Sequence, residues 1–190
     1  MTKLHAFLAV AVTIIAAAAG YAAFVIAPAP ALHGTATGNR PVWTEVKWPF
    51  PIDQWGLGRA FRCKAADCGN EVTLYLRAKI GFCNCTTGVA DDEHLDRIGD
   101  LDLLSAESSA LGPGWSIAVR WMKGRSRAYA ITGRGSSARS ALSIAFNDRC
   151  DVIVATSAIG SDEPSEQAGA VLEFLNSDLI LHWAEKTLGL

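Results

Sequence analysis

The sequence predicts an α+β domain in which an antiparallel sheet of about five or six strands carries a C-terminal helix packed on one face. Three patterns support this class: alternating apolar and polar residues at 71–82, two strand pairs separated by short polar turns, and a helical periodicity at 165–187. One long apolar segment precedes the domain. We therefore expect two parts, an N-terminal transmembrane or signal helix and a single folded domain.

The N-terminal segment from Ala6 to Ala27 contains no charged side chain. As a helix it would reach about 30 Å, which is the thickness of the apolar core of a bilayer. Lys3 and the amino terminus precede the segment, and the next charged residue is Arg40, so the weak excess of positive charge places the N-terminus in the cytoplasm. We expect residues 1–27 to form this helix, with the domain outside, in the periplasm if the source is a bacterium.

Retention or cleavage of this segment decides between a membrane protein and a secreted one. The motif Ala29-Pro30-Ala31 has the small residues of a signal-peptidase site and would release a chain that begins at Leu32. The apolar run exceeds the core of about 7–15 residues found in signal peptides, which favours a retained anchor. Residues 28–40 are rich in Pro, Ala, Gly and Thr and predict a flexible tether to the domain at 41–190.

The charge balance limits the class of partner. The chain has 17 basic and 19 acidic residues, so its formal net charge is −2. A nucleic-acid-binding domain of this size normally shows a clear basic excess on one surface or along one helix. We therefore expect no nucleic-acid partner.

Residues 71–82 give the clearest strand signal in the sequence. Every second position is apolar: Val72, Leu74, Leu76, Ala78, Ile80 and Phe82. A period of two predicts a strand with one face in the core and the other in water. Such a strand belongs to an antiparallel sheet, because parallel strands are usually apolar on both faces.

The remaining elements are predicted from local signals. Acidic residues at 91–93 favour the start of a short helix that would direct Leu95 and Ile98 toward the core. Two hairpins follow, with strands at 116–122 and 127–132 around a turn at 123–126, and strands at 141–146 and 150–156 around a turn at 147–148. Apolar residues at helical spacing then predict one helix over 165–187, which would cover the dry face of the sheet.

The five cysteines are Cys63, Cys68, Cys83, Cys85 and Cys150. Outside the cytoplasm, disulfide formation is the default expectation. The 71–82 strand would separate the first two cysteines from the next two by about 40 Å, whereas a disulfide needs Cα atoms within about 7 Å. We therefore expect a Cys63–Cys68 bond, a bond from either Cys85 or Cys83 to Cys150, and at least one thiol left over.

A metal or redox site is the alternative for these residues. Cys83 and Cys85 form a Cys-x-Cys pair, which suits soft ions such as Cu(I) or Zn(II). The spacing is not that of a zinc ribbon, and the pair lacks the Cys-x-x-Cys pattern at a helix start that is typical of thiol–disulfide enzymes. Cys83 and Cys85 therefore remain the alternative metal ligands.

Other candidate sites have simpler explanations. The acidic residues Asp91, Asp92, Glu93 and Asp96 could bind a divalent cation, but they lack the spacing of an EF-hand loop and suit a helix start. Basic residues between 120 and 139, with a glycine-rich stretch at 133–137, could form an anion site, but solvated hairpin turns explain them. Neither a Gly-x-Ser-x-Gly nor a His-Glu-x-x-His motif is present. We expect no enzymatic activity and no cofactor.

These observations favour a membrane-anchored extracytoplasmic protein that acts as a binding or assembly accessory domain. Its partners would be the membrane, through residues 6–27, and another membrane or exported protein. The expected contact surface is the water-facing side of the 71–82 strand or the extended, proline-containing aromatic segment before it: Trp43, Trp48, Trp55, Tyr75, Arg77 and Lys79. The alternative is a thiol-dependent metal-binding or redox protein that uses Cys83 and Cys85.

Overall fold

The computed structural model describes residues 41–82, 84–133 and 138–190. The apolar segment at 6–27, the cleavage motif, the tether at 28–40 and Cys83 lie outside the described residues. The chain divides into two units, Met1–His33 and Gly34–Leu190, and every described residue belongs to the second. None of the helices within the described ranges has the length and hydropathy needed to cross a bilayer.

The described residues form eight strands, four α-helices and one 3₁₀ turn. The strands are β1 Trp43–Val46, β2 Arg59–Cys63, β3 Val72–Lys79, β4 Ser105–Ala110, β5 Trp115–Val119, β6 Met122–Gly133, β7 Ser140–Asp148 and β8 Asp151–Ile159. The helices are α1 Ala65–Cys68, α2 Asp92–Ile98, α3 Ser165–Leu175 and α4 Asp178–Leu188. The 3₁₀ turn, Leu101–Leu103, follows α2.

All strands join one antiparallel sheet in the order β1-β2-β3-β8-β7-β6-β4, with β5 also paired to β6. The α+β class with an antiparallel sheet is therefore confirmed, but eight strands exceed the five or six that we expected. The additional strands are β1, β2 and β4. β4 has the sequence SAESSA and is exposed after its first residue, so no apolar alternation marks it. It is held by its ladder to β6.

Helices cover both faces of the sheet, which corrects the expectation that they pack mainly on one. On one side, which we call the α3/α4 face, the main core joins Leu74, Ile144 and Phe146 of the sheet to Val171 and Ile180 of the two helices. On the other side, the α2 face, Leu95 and Ile98 pack against β7 and β8. The central strands β7 and β8 are therefore buried on both faces, because the apolar side of α2 covers the face that α3 and α4 do not cover.

β3 follows the predicted alternation but is not open to water on its second face. Leu74 and Leu76 are fully buried, as predicted. Arg77 and Lys79, which we expected to face water, are only 4% and 5% exposed. The strand ends at Lys79, so Ile80 projects beyond it. The prediction of a water-facing side is wrong at this end of β3 because neighbouring segments cover it and supply carboxylates.

The two hairpins exist, but their turns lie elsewhere than predicted. Val119 pairs with Met122, so the first turn is formed by residues 120–121 and not by 123–126. Asp148 pairs with Asp151, so the second turn is formed by residues 149–150. The first residue of each turn, arginine in both cases, has a positive φ, 54° and 52°. Arginine is uncommon in this conformation, and so the sequence gives no turn signal there.

Gly124 lies inside β6, where it opposes Phe146 of β7. A Cβ at Gly124 would overlap the carbonyl oxygen of Ala145 and lie 2.8 Å from the Cα of Phe146. Both atoms belong to the backbone and cannot rotate away. Gly124→Ala should lower the free energy of unfolding by about 1–3 kcal/mol, as overpacked cores do.

Urea unfolding of the full chain, followed by tryptophan fluorescence, measures this loss. Gly112→Ala is the control, because a Cβ there would meet no atom within 4 Å. We expect the control to change the free energy of unfolding by less than about 0.5 kcal/mol. Equal losses in the two variants would show that the close approach of β7 is not the cause.

The C-terminal helix is divided, where a single helix was predicted. α3 ends at Leu175 and α4 begins at Asp178. Asn176 stabilises the break: its amide nitrogen donates to the carbonyl of Leu172 (2.9 Å), and its side-chain oxygen accepts from the backbone N–H of Arg120 (2.8 Å). The side chain of His182 on α4 is 88% exposed.

Candidate functional site

The structure contains two disulfides, Cys63–Cys68 and Cys85–Cys150, with Cα–Cα distances of 6.0 and 4.2 Å. Cys85 therefore has no thiolate to share with Cys83 in a metal site, and this observation does not favour the thiol-dependent alternative. Across the described part of the chain, no group of three or more His, Cys, Asp and Glu side chains could hold a metal ion.

The candidate site is a cleft of about 690 Å³ on the α2 face of the sheet. Arg77 and Lys79 of β3 line it from the sheet side. Its walls are the segment at 53–55, the end of α2 with the 3₁₀ turn, and parts of β4 and β6. Polar and aromatic groups from segments far apart in sequence therefore meet in one concavity, which is typical of a binding site.

A buried ion network lies beneath this cleft. The guanidinium of Arg77 donates two hydrogen bonds to the carboxylate of Asp100, at 2.6 and 2.7 Å, and a third to Asp53 at 2.5 Å. Lys79 Nζ lies 2.8 Å from the same Asp100 carboxylate and donates to the carbonyl of Ile98 at 2.7 Å. Asp100 is 3% exposed, so one buried carboxylate serves two buried cations.

The electrostatics of the network keep its arginine charged. Burial disfavours the charged form of Arg77, but the hydrogen bonds to Asp100 and Asp53 outweigh burial and raise its pKa. The hydrogen bond from Arg77 also lowers the pKa of Asp53, against the opposing effect of its own desolvation. The Arg77–Asp53 pair is therefore ionised throughout the physiological range. It ties the segment at 53–55 to β3.

An aromatic pair closes one end of the cleft. The rings of Trp55 and Phe82 lie 4.8 Å apart, and Lys79 Nζ lies 5.5 and 5.9 Å from their centroids. Three exposed apolar side chains flank these rings in sequence: Ile52 (71%), Leu57 (65%) and Ile80 (56%). We call these five residues the apolar rim. Trp55 and Phe82 line the charged concavity, and the other three rim residues lie within three positions of them in sequence.

The other end of the cleft is polar. Arg127 of β6 donates to Asp96 of α2 at 2.8 Å, and the hydroxyl of Tyr129 donates a short hydrogen bond to the same carboxylate. Burial and the hydrogen bond to Asp96 raise the pKa of Tyr129. Asp92 binds Arg125 at 2.5 Å, which lowers the pKa of Asp92. Asp92 and Asp96 of α2 therefore pair with Arg125 and Arg127 of β6, which we had assigned to solvated turns.

The structure places the six residues of the two alternative contact surfaces in different parts of the domain. Trp43 stacks on Phe174 of α3, with ring centroids 4.7 Å apart. Trp43 thereby packs against the main core. Trp48 packs edge-on against Tyr75, at 5.9 Å. The cleft contains the other three: Trp55, Arg77 and Lys79.

Sequence reasoning missed three residues of this site: Asp53, Asp100 and Phe82. The available signal was a pair of cations at alternate positions of one strand, Arg77 and Lys79, followed by the acid-rich stretch at 91–102. Two cations on a strand face need either water or carboxylates. The sequence pattern does not distinguish between these environments.

Comparisons with known proteins leave the family open. No protein-family model and no curated protein matches the sequence. Among solved structures, the chain is similar to cyanobacterial PsbP (CyanoP) from Synechocystis sp. PCC 6803, with a TM-score of 0.39 and 11% identity over 71% of this chain and 78% of that chain. A similarity of this size does not assign a function, which must be inferred from the residues themselves.

Proposed function

We propose that this chain is a membrane-anchored extracytoplasmic accessory domain that binds another membrane or exported protein through the apolar rim and the cleft beside it. This proposal rests on the exposure of the apolar rim to solvent. Ile52, Leu57 and Ile80 are each more than half exposed, and Phe82 is 41% exposed. Soluble domains rarely leave several large apolar side chains together in water unless the surface has a binding role.

Two observations support a location outside the cytoplasm. The apolar segment at 6–27 has the length of a membrane-crossing helix, and the flanking charges favour a cytoplasmic N-terminus. The disulfides Cys63–Cys68 and Cys85–Cys150 need an oxidising compartment to persist. Both observations agree with export of the domain to the periplasm or an equivalent space.

The chemistry of the site indicates what the partner surface should carry. An apolar or aromatic side chain would cover Trp55 and Phe82, which contribute large contact area at small entropic cost. Asp96 and Arg127 at the polar end are partly exposed, so both signs of charge are available for hydrogen bonds to a polar segment. A partner with one apolar anchor beside polar or charged groups fits this arrangement.

Cross-linking and affinity purification of the full chain from solubilised membranes tests this proposal. We expect a reproducible partner with the wild-type chain and at least a roughly tenfold lower yield with the double variant Ile80→Ser/Phe82→Ser, since loss of an interface anchor commonly costs one decade of affinity or more. Leu111→Ser is the matched control, because Leu111 is 51% exposed and lies outside the rim. No reproducible partner, or an equal loss with Leu111→Ser, would refute the proposal.

A further inference from the structure

β4 forms an open edge of the sheet. It pairs with β6 on one side and stands last in the strand order, so no described strand lies on its other side. All its residues after Ser105 are exposed. The pairing with β6 shifts register between Ser105 and Ser108, so the regular part of the strand runs from Ser108 to Ala110. A short stretch of strand backbone is therefore accessible to another strand.

The pairing with β6 determines which backbone groups of β4 point outward. The N–H of Leu111 donates to a carbonyl of β6 at 2.9 Å, so this residue faces β6. The N–H of Ile131, which opposes Ser108, donates to Arg139 on the other side of β6 at 3.1 Å. Hydrogen-bonded and non-hydrogen-bonded pairs alternate along an antiparallel ladder. The N–H and C=O groups of Ser108 and Ala110 therefore point away from β6, toward solvent.

The other edges of the described sheet are covered or protected. On β5, which continues along β6, the side-chain amide of Asn176 donates to the carbonyl of Ala118 at 3.4 Å, so the α3–α4 junction lies against this edge. At the opposite edge, β1 includes Glu45 and is flanked by Pro41 and Lys47. Charged side chains and proline are common devices that keep an edge strand unpaired. The regular part of β4 consists of serine and alanine and has neither device.

We propose that β4 pairs with the β4 strand of a second copy of this chain, antiparallel to it, about a two-fold axis at Ser109. In this register Ser108 of one copy opposes Ala110 of the other, and both residues present outward N–H and C=O groups. Such a pair exchanges both of its hydrogen bonds, and the two-fold axis repeats the exchange. The strand thus offers the groups that it requires of its partner, so a second copy is the occupant that fits this edge.

The side chains agree with this register. Ser108, Ser109 and Ala110 are small and uncharged, so the two backbones can approach to the ladder spacing of about 4.8 Å. Glu107 is the one charged residue of β4. Its two copies would lie at opposite ends of the paired stretch, whereas like charges directly opposite each other would be destabilising. Charge therefore does not oppose the pairing.

The pairing would join two sheets into one and would bring the second copy next to the cleft. The side chains of Ser108 and Ala110 line the cleft, so β4 of the second copy would extend its wall. The residues of the apolar rim do not belong to β4 and would stay accessible in both copies. A dimer of this kind does not depend on the partner proposed for the cleft, and its test needs no partner.

Cysteine cross-linking of the full chain tests the register. Two Ser109 residues would face each other as a non-hydrogen-bonded pair with Cα atoms about 4.5 Å apart, which suits a disulfide. Ser108→Cys is the matched control, because it is also exposed but its two copies would lie about 8 Å apart. Both variants carry Cys83→Ser, so that the new thiol is the only one outside the two disulfides.

The chains are dispersed in a large excess of detergent micelles, so that copies meet only by association, and are oxidised with oxidised glutathione. Non-reducing gels should show a covalent dimer of Ser109→Cys that forms at least about tenfold faster than that of Ser108→Cys, because pairing raises the effective concentration of the facing thiols. Equal rates for the two variants would reflect random collision and would overturn the inference.

Ser108→Pro in the Ser109→Cys chain gives a second readout. Proline removes an outward N–H but no hydrogen bond to β6, and edge strands accept proline at such positions. Cross-linking should fall to the rate of the Ser108→Cys control, with circular dichroism to verify that the variant is folded. An unchanged rate in the folded variant would overturn the inference. If the variant does not fold, the comparison of Ser109→Cys with Ser108→Cys still decides the question.

Discussion

Replacement of Asp100 by Asn should lower the free energy of unfolding by about 3–5 kcal/mol, the usual cost of removing one partner from a buried ion pair. Asp100 is the shared acceptor for two cations that are 4% and 5% exposed. The amide keeps the shape of the carboxylate but removes its charge. Arg77 would keep its contact to Asp53, and Lys79 would keep only the carbonyl of Ile98.

Denaturant unfolding of the full chain, monitored by tryptophan fluorescence, measures this loss. Asp178→Asn is the matched control, because the same chemical change there removes a surface pair with Arg120 whose side chains are 95% and 42% exposed. Exposed pairs contribute about 0–1 kcal/mol, so the control should lose no more than that. A loss below about 1 kcal/mol for Asp100→Asn would contradict the buried-network interpretation.

A second substitution separates charge from packing. Lys79→Met in the Asp100→Asn background removes the buried cation that has lost its carboxylate partner, while it keeps a long side chain. We expect the double variant to recover part of the lost stability, because the remaining Arg77 still pairs with Asp53. If the losses instead add, the cost of Asp100→Asn does not come from the unpaired charge of Lys79.

Much of the fold could be predicted from the sequence because its signals are local. The alternation of β3 places Val72, Leu74 and Leu76 in the core, and the acidic start of α2 orients Leu95 and Ile98 correctly. The two hairpins are present with shifted turns. β4 could not be predicted, since it is held by backbone pairing to β6 and shows no apolar pattern of its own.

The candidate site was much harder to predict because its parts are distant in sequence. Arg77 pairs with the carboxylates of Asp100 and Asp53, which lie 23 and 24 residues away in the sequence. A polar residue on one face of a strand gives the same sequence pattern whether it faces water or a buried acid. From this pattern we predicted an exposed contact surface at Arg77 and Lys79. The structure instead places both side chains in a buried ion network. Only long-range contacts resolve this ambiguity.

The cysteines differ from the ion network because chain geometry constrains them. β3 separates Cys63 and Cys68 from Cys85, so pairing across the strand could be excluded from residue spacing alone. The choice between Cys83 and Cys85 as the partner of Cys150 could not be made, since both lie on the same short segment. The structure places the bond at Cys85.

Removal of the Cys85–Cys150 bond should destabilise the domain more than removal of the Cys63–Cys68 bond. The first bond links residues 65 apart in sequence and the second links residues 5 apart. In the loop-entropy model these separations correspond to about 4 and about 2 kcal/mol, because the longer link removes more freedom from the unfolded chain. The double variants Cys85→Ala/Cys150→Ala and Cys63→Ala/Cys68→Ala, compared by denaturant unfolding, test this order.

The native contacts around the Cys85–Cys150 bond make this comparison informative. The segment after β3 has other attachments to the β7–β8 hairpin: Gly81 N–H donates to Asp151, and Val89 N–H donates to Asn147. The segment should therefore keep its place without the disulfide, so the measured loss reports mainly on the unfolded chain. Cys63 is fully buried, and so its truncation adds a packing cost that works against the predicted order. If the short bond proves the more important, burial of Cys63 outweighs loop entropy in this domain.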